Sequence, residues 1–137
     1  TVRDSLMVLL SQRELETKLA AERSFEIFIR LVQPLRLLGS IHVKLCDWIT
    51  REDAKRYQLV LLPRDHQKSA IAAFYAAWCI TKDPTCRILY QSSTQNLAIK
   101  QLKFIKDILT SPKYKMYWPD MVNQDVSTRE KWTESEL

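Results

Sequence analysis

Apolar positions at helical spacing run through the N-terminal part of the chain. Residues 2–32 are rich in Leu, Glu, Lys, Arg and Ala and contain no Gly or Pro, so they predict helix with one buried face. Ser24 is a candidate N-cap at which a second helix restarts, and Pro34 ends that helix. After the turn at Gly39, residues 42–49 predict a further short helix.

The middle of the chain carries a different pattern. Residues 57–62 (YQLVLL) form an apolar run of strand formers, which is typical of a strand buried on both faces. Residues 70–80 are apolar on nearly all sides and predict a buried helix, and residues 87–90 (RILY) predict a second strand. Hydroxyl groups at residues 92–94 then cap a helix that ends at Leu109.

This order of strand, helix, strand and helix predicts an α/β fold with a parallel sheet flanked by helices. Residues 1–40 form a helical N-terminal segment in this interpretation, and residues 41–137 begin the α/β domain. Two strands do not make a stable sheet alone, so the domain is expected to be incomplete. Since the chain begins at Thr1, it is expected to be processed or part of a longer protein.

Composition adds a preference for anionic partners. The 137 residues are 46% hydrophobic and 27% charged, which suits one packed domain, and the net charge is +5. The three cysteines and two histidines have no zinc-ligand spacing, and an odd cysteine count favours a reducing compartment. No apolar run is long enough for a transmembrane helix, and no signal peptide opens the chain.

One segment carries candidate chemistry. In residues 59–74 (LVLLPRDHQKSAIAAF) an apolar run leads into a polar turn that ends in Lys68 and Ser69 and opens an apolar helix, as in a P-loop. In such a loop, backbone N–H groups hold the phosphates, a lysine reaches the β/γ oxygens and a hydroxyl binds Mg²⁺. The consensus GxxxxGK[ST] would place glycines at Leu62 and Gln67, and neither is glycine.

A phosphate-binding loop without glycine needs other residues to adopt backbone conformations with positive φ. Asp65 and His66 tolerate positive φ well, whereas Gln67 is a less natural substitute. If Gln67 is tolerated and not required, Gln67→Gly keeps or raises nucleotide affinity. The alternative interpretation is a polar turn capped by Ser69 before a core helix.

The heptapeptide of this turn resembles the deviant Walker A motif in the large terminase subunit of tailed bacteriophages. It consists of Pro63, Arg64, Asp65, His66, Gln67, Lys68 and Ser69. Three flanking stretches look like other parts of the same family: SFEIFIRLVQPL, CRILYQSSTQNLAIKQLKFIKDIL and KWTESEL. The resemblance covers residues 24–137.

This resemblance implies an ATPase motor that translocates double-stranded DNA into a procapsid and is joined to a C-terminal endonuclease. The implied cofactors are ATP and Mg²⁺, with Lys68 on the β/γ phosphates, Ser69 on Mg²⁺ and Arg64 at the γ-phosphate. The other residues of the heptapeptide line the nucleotide, and His42 matches loosely an adenine-side position, although a core or surface histidine is the interpretation favoured for it.

The family also implies partners and a location. The implied partners are the portal of the procapsid and the small terminase subunit, and the chain is expected to assemble into a homo-oligomeric ring. The implied location is the host cytoplasm, with no membrane contact. No Walker B motif, coupling motif or nuclease acidic cluster follows Ser69, so we expect an N-terminal part that hydrolyses little ATP alone. The alternatives are another P-loop translocase or helicase-like ATPase, and a non-enzymatic helical module that binds DNA or a partner.

Two further features have structural interpretations. Residues 113–118 (KYKMYW) predict an aromatic cluster packed beside the preceding helix, in preference to a nucleic-acid contact. The stripe formed by Lys100, Lys103 and Lys106 predicts a solvated helix face, and Trp78 is expected in the core.

Overall fold

A computed structural model of the chain describes residues 12–63 and 67–119, and within them it is entirely helical. The helices are α1 (Gln12–Arg23), α2 (Phe25–Val32), α3 (Ser40–Ile49), α4 (Lys68–Lys82), α5 (Gln95–Leu109) and α6 (Pro112–Tyr117). Predictions for residues 1–11 and for residues 120–137, which include KWTESEL, lie outside the described residues. None of the helices in the described part has the length and apolar character needed to cross a membrane.

The predicted α/β fold with a parallel sheet is wrong for the described residues. Both expected strands lack regular secondary structure, and side chains expected in the core face solvent. Tyr57 is 83% exposed, Leu61 78% and Leu89 82%. A strand needs the backbone groups of a neighbouring strand, and the two segments form no such pair within residues 12–63 and 67–119. The apolar runs therefore indicated a preference for burial, but they did not determine which other segment would form a β-sheet with them.

The helix predictions are confirmed where they fall on described residues. Ser24 has extended backbone and separates α1 from α2, as its predicted role at a helix restart requires. Thr94 caps α5, because its hydroxyl accepts the N–H of Leu97 at 3.2 Å. The hydroxyl of Ser111 accepts the N–H of Tyr114 at 3.3 Å and starts α6, a short helix that the sequence pattern did not predict. Side-chain caps thus occur at the starts of α5 and α6, whereas the Ser24 side chain makes no capping bond at the start of α2.

Helices α2 and α4 occupy the centre of the packing. α4 packs along α5 and also contacts α1 and α2, while α2 contacts α3 and α6. The indole N–H of Trp78 donates to the carbonyl of Ala21 at 3.0 Å, which joins α4 to α1 and confirms Trp78 as a core residue. Between α4 and α5, the rings of Phe74 and Phe104 meet edge to face at 5.7 Å.

The aromatic residues of α6 and the position after it pack into the core, as predicted. Tyr114, Tyr117 and Trp118 are all buried, and the indole N–H of Trp118 donates to Glu22 Oε1 at 3.0 Å. The short helix therefore closes over α1 and α2, and these rings are not available for contact with a nucleic acid.

The lysine stripe of α5 is only partly solvated. Lys100 and Lys103 are exposed, but Lys106 is 8% exposed, so its predicted exposure is wrong. Its neighbours Ile105 and Ile108 are also buried, which means that the C-terminal half of α5 packs on more than one side. The helical spacing of the lysines did not reveal that the side of α5 carrying Lys106 is also packed.

A buried hydroxyl pair predicts how stability depends on pH. Tyr114 Oη and Thr81 Oγ1 lie 2.8 Å apart, and burial raises the pKa of Tyr114 from 10.0 to about 12. Because the fold favours the protonated phenol, its contribution is complete below pH 10 and is lost as the pH rises towards 12. We expect Tyr114→Phe to be about 1 kcal/mol less stable at neutral pH.

Urea unfolding at increasing pH measures this contribution. The stability advantage of the wild type over Tyr114→Phe should vanish and then reverse in sign between pH 10 and pH 12, since ionisation of the buried phenol costs more than the hydroxyl contributes and phenylalanine has no proton to lose. The comparison cancels the ionisation of the other tyrosines. A gap that stays constant across this range would contradict the assignment.

Candidate functional site

The turn before α4 holds an unusual backbone conformation. Gln67 occupies the N-cap of α4 with φ 55° and ψ 23°, in the left-handed region. Among the described residues it is the single non-glycine residue with positive φ. Sequence reasoning had favoured Asp65 and His66 for this conformation, and these two lie with Arg64 outside the described residues.

The left-handed conformation of Gln67 is costly for a residue with a side chain. A strained backbone of this kind costs on the order of 1–3 kcal/mol. It falls at the position where the P-loop consensus has the glycine before its lysine. The structure therefore places the left-handed residue at Gln67, directly before Lys68.

Lys68 and Ser69 are exposed at the beginning of α4. The ammonium of Lys68 donates to the carbonyl of Leu62 at 2.9 Å, so this side chain spans the turn. In the first turn of α4 the N–H of Ile71 donates to the carbonyl of Gln67 at 2.9 Å. The N-terminal end of an α-helix carries a partial positive charge, which favours an anion at this position.

An open cleft of about 570 Å³ adjoins this turn. Its lining residues are Gln33, Pro34, Leu35, Arg36, Leu37 and Gln67. The Arg36 guanidinium donates through Nε to Gln33 Oε1 at 2.8 Å and through Nη1 to Gln67 Oε1 at 3.1 Å. Sequence reasoning missed Gln33 and Arg36, because no motif marks them and the contact with Gln67 joins residues far apart in the chain.

His42 has a structural position at the start of α3. It is 9% exposed, and its Nδ1 accepts the N–H of Gly39 at 2.9 Å. This bond caps the helix, so Nδ1 is engaged in the fold. Gly39 itself has φ −79° and ψ 173°, which any residue can adopt. The single glycine is therefore not required by the backbone at its own position.

The described residues provide few other chemical groups. No cluster of three or more His, Cys, Asp or Glu side chains suited to a metal ion occurs within residues 12–63 and 67–119. The Ser69 hydroxyl is suitable for Mg²⁺ only where phosphate and water supply the remaining oxygens. Burial raises the pKa of Cys46 to about 11 and also raises that of Cys79, so neither thiol is an activated nucleophile.

Comparisons with known proteins add no family. No protein-family model, curated protein sequence or solved structure matches this chain. The turn before α4 and its resemblance to the terminase motif are therefore the features that bear on function.

Proposed function

We propose that the chain binds the phosphates of ATP, with Mg²⁺, at the turn before α4, and that it forms part of a DNA-packaging ATPase of the large-terminase kind. The observation that carries this proposal is the left-handed backbone of Gln67 directly before Lys68 and Ser69. A simple polar cap has no need of that conformation. The N-caps of α2, α3, α5 and α6 all have extended backbone.

The proposed contacts follow from the positions of the groups. The Lys68 ammonium would exchange the carbonyl of Leu62 for phosphate oxygens, and the exposed Ser69 hydroxyl would bind Mg²⁺. The backbone amides at the start of α4 would hold the same phosphates. Pro63 lies at the exposed beginning of the turn, and the proposed role of Arg64 at the γ-phosphate falls on an undescribed residue.

The wider proposal comes from the resemblance of the heptapeptide and its flanks. It includes translocation of double-stranded DNA, contact with a portal and a small terminase subunit, and assembly into a ring. The net charge of +5 is compatible with a polyanionic partner. The turn leads into a helix that is packed in the core, since α4 buries residues from Ile71 to Thr81.

One observation favours a second candidate function. The described residues pack as helices without a sheet, and the Lys68 ammonium already has a carbonyl partner. A non-enzymatic helical module that binds DNA or another protein would need nothing more. This candidate predicts that ATP has no effect on the chain.

Titration with Mg-ATP separates the two candidates. We expect saturable binding in calorimetry and a rise in the thermal unfolding midpoint that grows with ligand concentration. At one hundred times the dissociation constant, the stabilisation amounts to about 2.7 kcal/mol. Magnesium removal with a chelator should weaken binding. If titration produces no heat of binding and no shift in the unfolding midpoint, the result supports the helical module and excludes the nucleotide site.

A further inference from the structure

Both polar atoms of the Gln67 side chain are bonded to the segment at residues 33–37. Gln67 Nε2 donates to the carbonyl of Leu37 at 2.8 Å, and Gln67 Oε1 accepts from Arg36 Nη1 at 3.1 Å. The two bonds span about thirty residues of sequence and join the turn before α4 to the loop between α2 and α3. A glycine at this position would permit the backbone conformation and remove both bonds.

Arg36 is held in place by several groups at once. Besides Gln67, it donates to Gln33 Oε1 at 2.8 Å. Its guanidinium carbon lies 5.3 Å from the ring centroid of Phe74 and 5.5 Å from that of Phe104, within range of cation–π attraction. The loop that lines the cleft thus contacts the helical core through Arg36, which lies over rings of α4 and α5. It also contacts the turn through its hydrogen bonds to Gln67.

We propose that Gln67 is a positioning residue whose side chain couples the phosphate-binding turn to the cleft segment, residues 33–37. The inference rests on the proposed function, because phosphate binding at Lys68 is the event that the coupling would pass to the cleft. The residue that replaces the consensus glycine is then required for its amide. This reverses the expectation from sequence that Gln67→Gly keeps or raises nucleotide affinity.

Two substitutions distinguish coupling from mere tolerance of the backbone. Gln67→Gly relieves the positive φ and removes the amide. Gln67→Asn also suits the left-handed region and keeps an amide, but it is one methylene shorter and does not reach both partners. If Gln67 is only tolerated, both variants bind Mg-ATP at least as well as the wild type. If it couples the two segments, both bind more weakly in spite of the relieved strain.

Hydrogen exchange measured by mass spectrometry tests the coupling without nucleotide. The loop between α2 and α3 contains three bonded amides: the N–H of Gln33 donates to the carbonyl of Ile29 at 2.9 Å, that of Arg36 to the carbonyl of Gln33 at 3.1 Å, and that of Gly39 to His42 Nδ1 at 2.9 Å. We expect peptides covering residues 33–39 to exchange several-fold faster in Gln67→Gly and Gln67→Asn. Peptides from α1 should be unchanged. Gln95→Gly, at the exposed start of α5, is the matched control and should leave residues 33–39 as in the wild type.

Binding of Mg-ATP then supplies the second measurement. The wild type should gain protection at residues 33–39, and both Gln67 variants should bind about tenfold more weakly, a difference of about 1.4 kcal/mol. A double-mutant cycle with Arg36→Met should find the two substitutions non-additive, because each removes the same bond.

The outcomes separate this inference from the proposed function. Faster exchange at residues 33–39 in a protein that binds no nucleotide would show that Gln67 only holds the cleft segment in place, and would overturn the nucleotide site together with the coupling that rests on it. Wild-type exchange in the Gln67 variants, together with equal or tighter Mg-ATP binding, would overturn the coupling and leave the nucleotide site supported.

Discussion

Lys68→Ala is expected to weaken Mg-ATP binding by at least about tenfold, which corresponds to a loss of about 1.4 kcal/mol of binding free energy. The Lys68 ammonium is exposed at the start of α4, where it donates to the Leu62 carbonyl at 2.9 Å. Charge-assisted bonds to phosphate are among the strongest polar contacts, and alanine supplies none. Calorimetric titration of the wild type and the variant measures the difference.

Stability should change little in this variant, because the one bond that is lost lies at the surface. Lys100→Ala is a matched control, since it removes the same charge from an exposed position on α5. It should bind Mg-ATP as the wild type does. Equal affinities for Lys68→Ala and Lys100→Ala would remove Lys68 from the site and favour a helix start without a ligand.

Phe28→Ala is expected to be the most destabilising of the substitutions considered, by about 3–5 kcal/mol. Phe28 is fully buried in α2. Its ring lies 6.3 Å from that of Tyr114 and 5.6 Å from that of Trp118, so it joins α2 to the C-terminal aromatic cluster. A cavity at this point removes packing from two elements at once. Urea denaturation followed by circular dichroism measures the loss.

Ile27→Ala is the control for this prediction, because Ile27 is the preceding residue of the same helix and is 38% exposed. It should cost far less than Phe28→Ala. If Phe28→Ala is too unstable to purify, Phe28→Leu retains most of the apolar volume and should lose an intermediate amount. Similar losses for Ile27→Ala and Phe28→Ala would contradict the central place of α2 in the core.

The helices were predictable because their signals are local. The hydroxyl of Thr94 bonds an amide three residues later, and an apolar face recurs within one helical turn, whereas the short helix α6 after Ser111 was not predicted. The proposed strands were not predictable in this way. Residues 57–62 and 87–90 have the composition of strands, but a strand exists only when a second segment pairs with it, and the described residues contain no such pair.

The candidate site was likewise predictable only in its local features. The order of an apolar run, a polar turn and Lys68-Ser69 could be read from the sequence, as could the absence of glycine from the turn. The identity of the left-handed residue could not, because its strain is offset by bonds to Arg36 and Leu37. Neither partner has any sequence relation to the motif.

By itself, the sequence determined where most of the helices in residues 12–63 and 67–119 begin and end, and that Lys68 and Ser69 open one of them after a polar turn. Only the tertiary structure decided that the apolar segments on either side of α4 lie exposed, and that the side chain of Gln67 is hydrogen-bonded to the cleft segment. The physical reason is the range of the interactions. Caps and helical faces form between near neighbours, whereas strand pairing and the contacts of Gln67 join residues that only folding brings together.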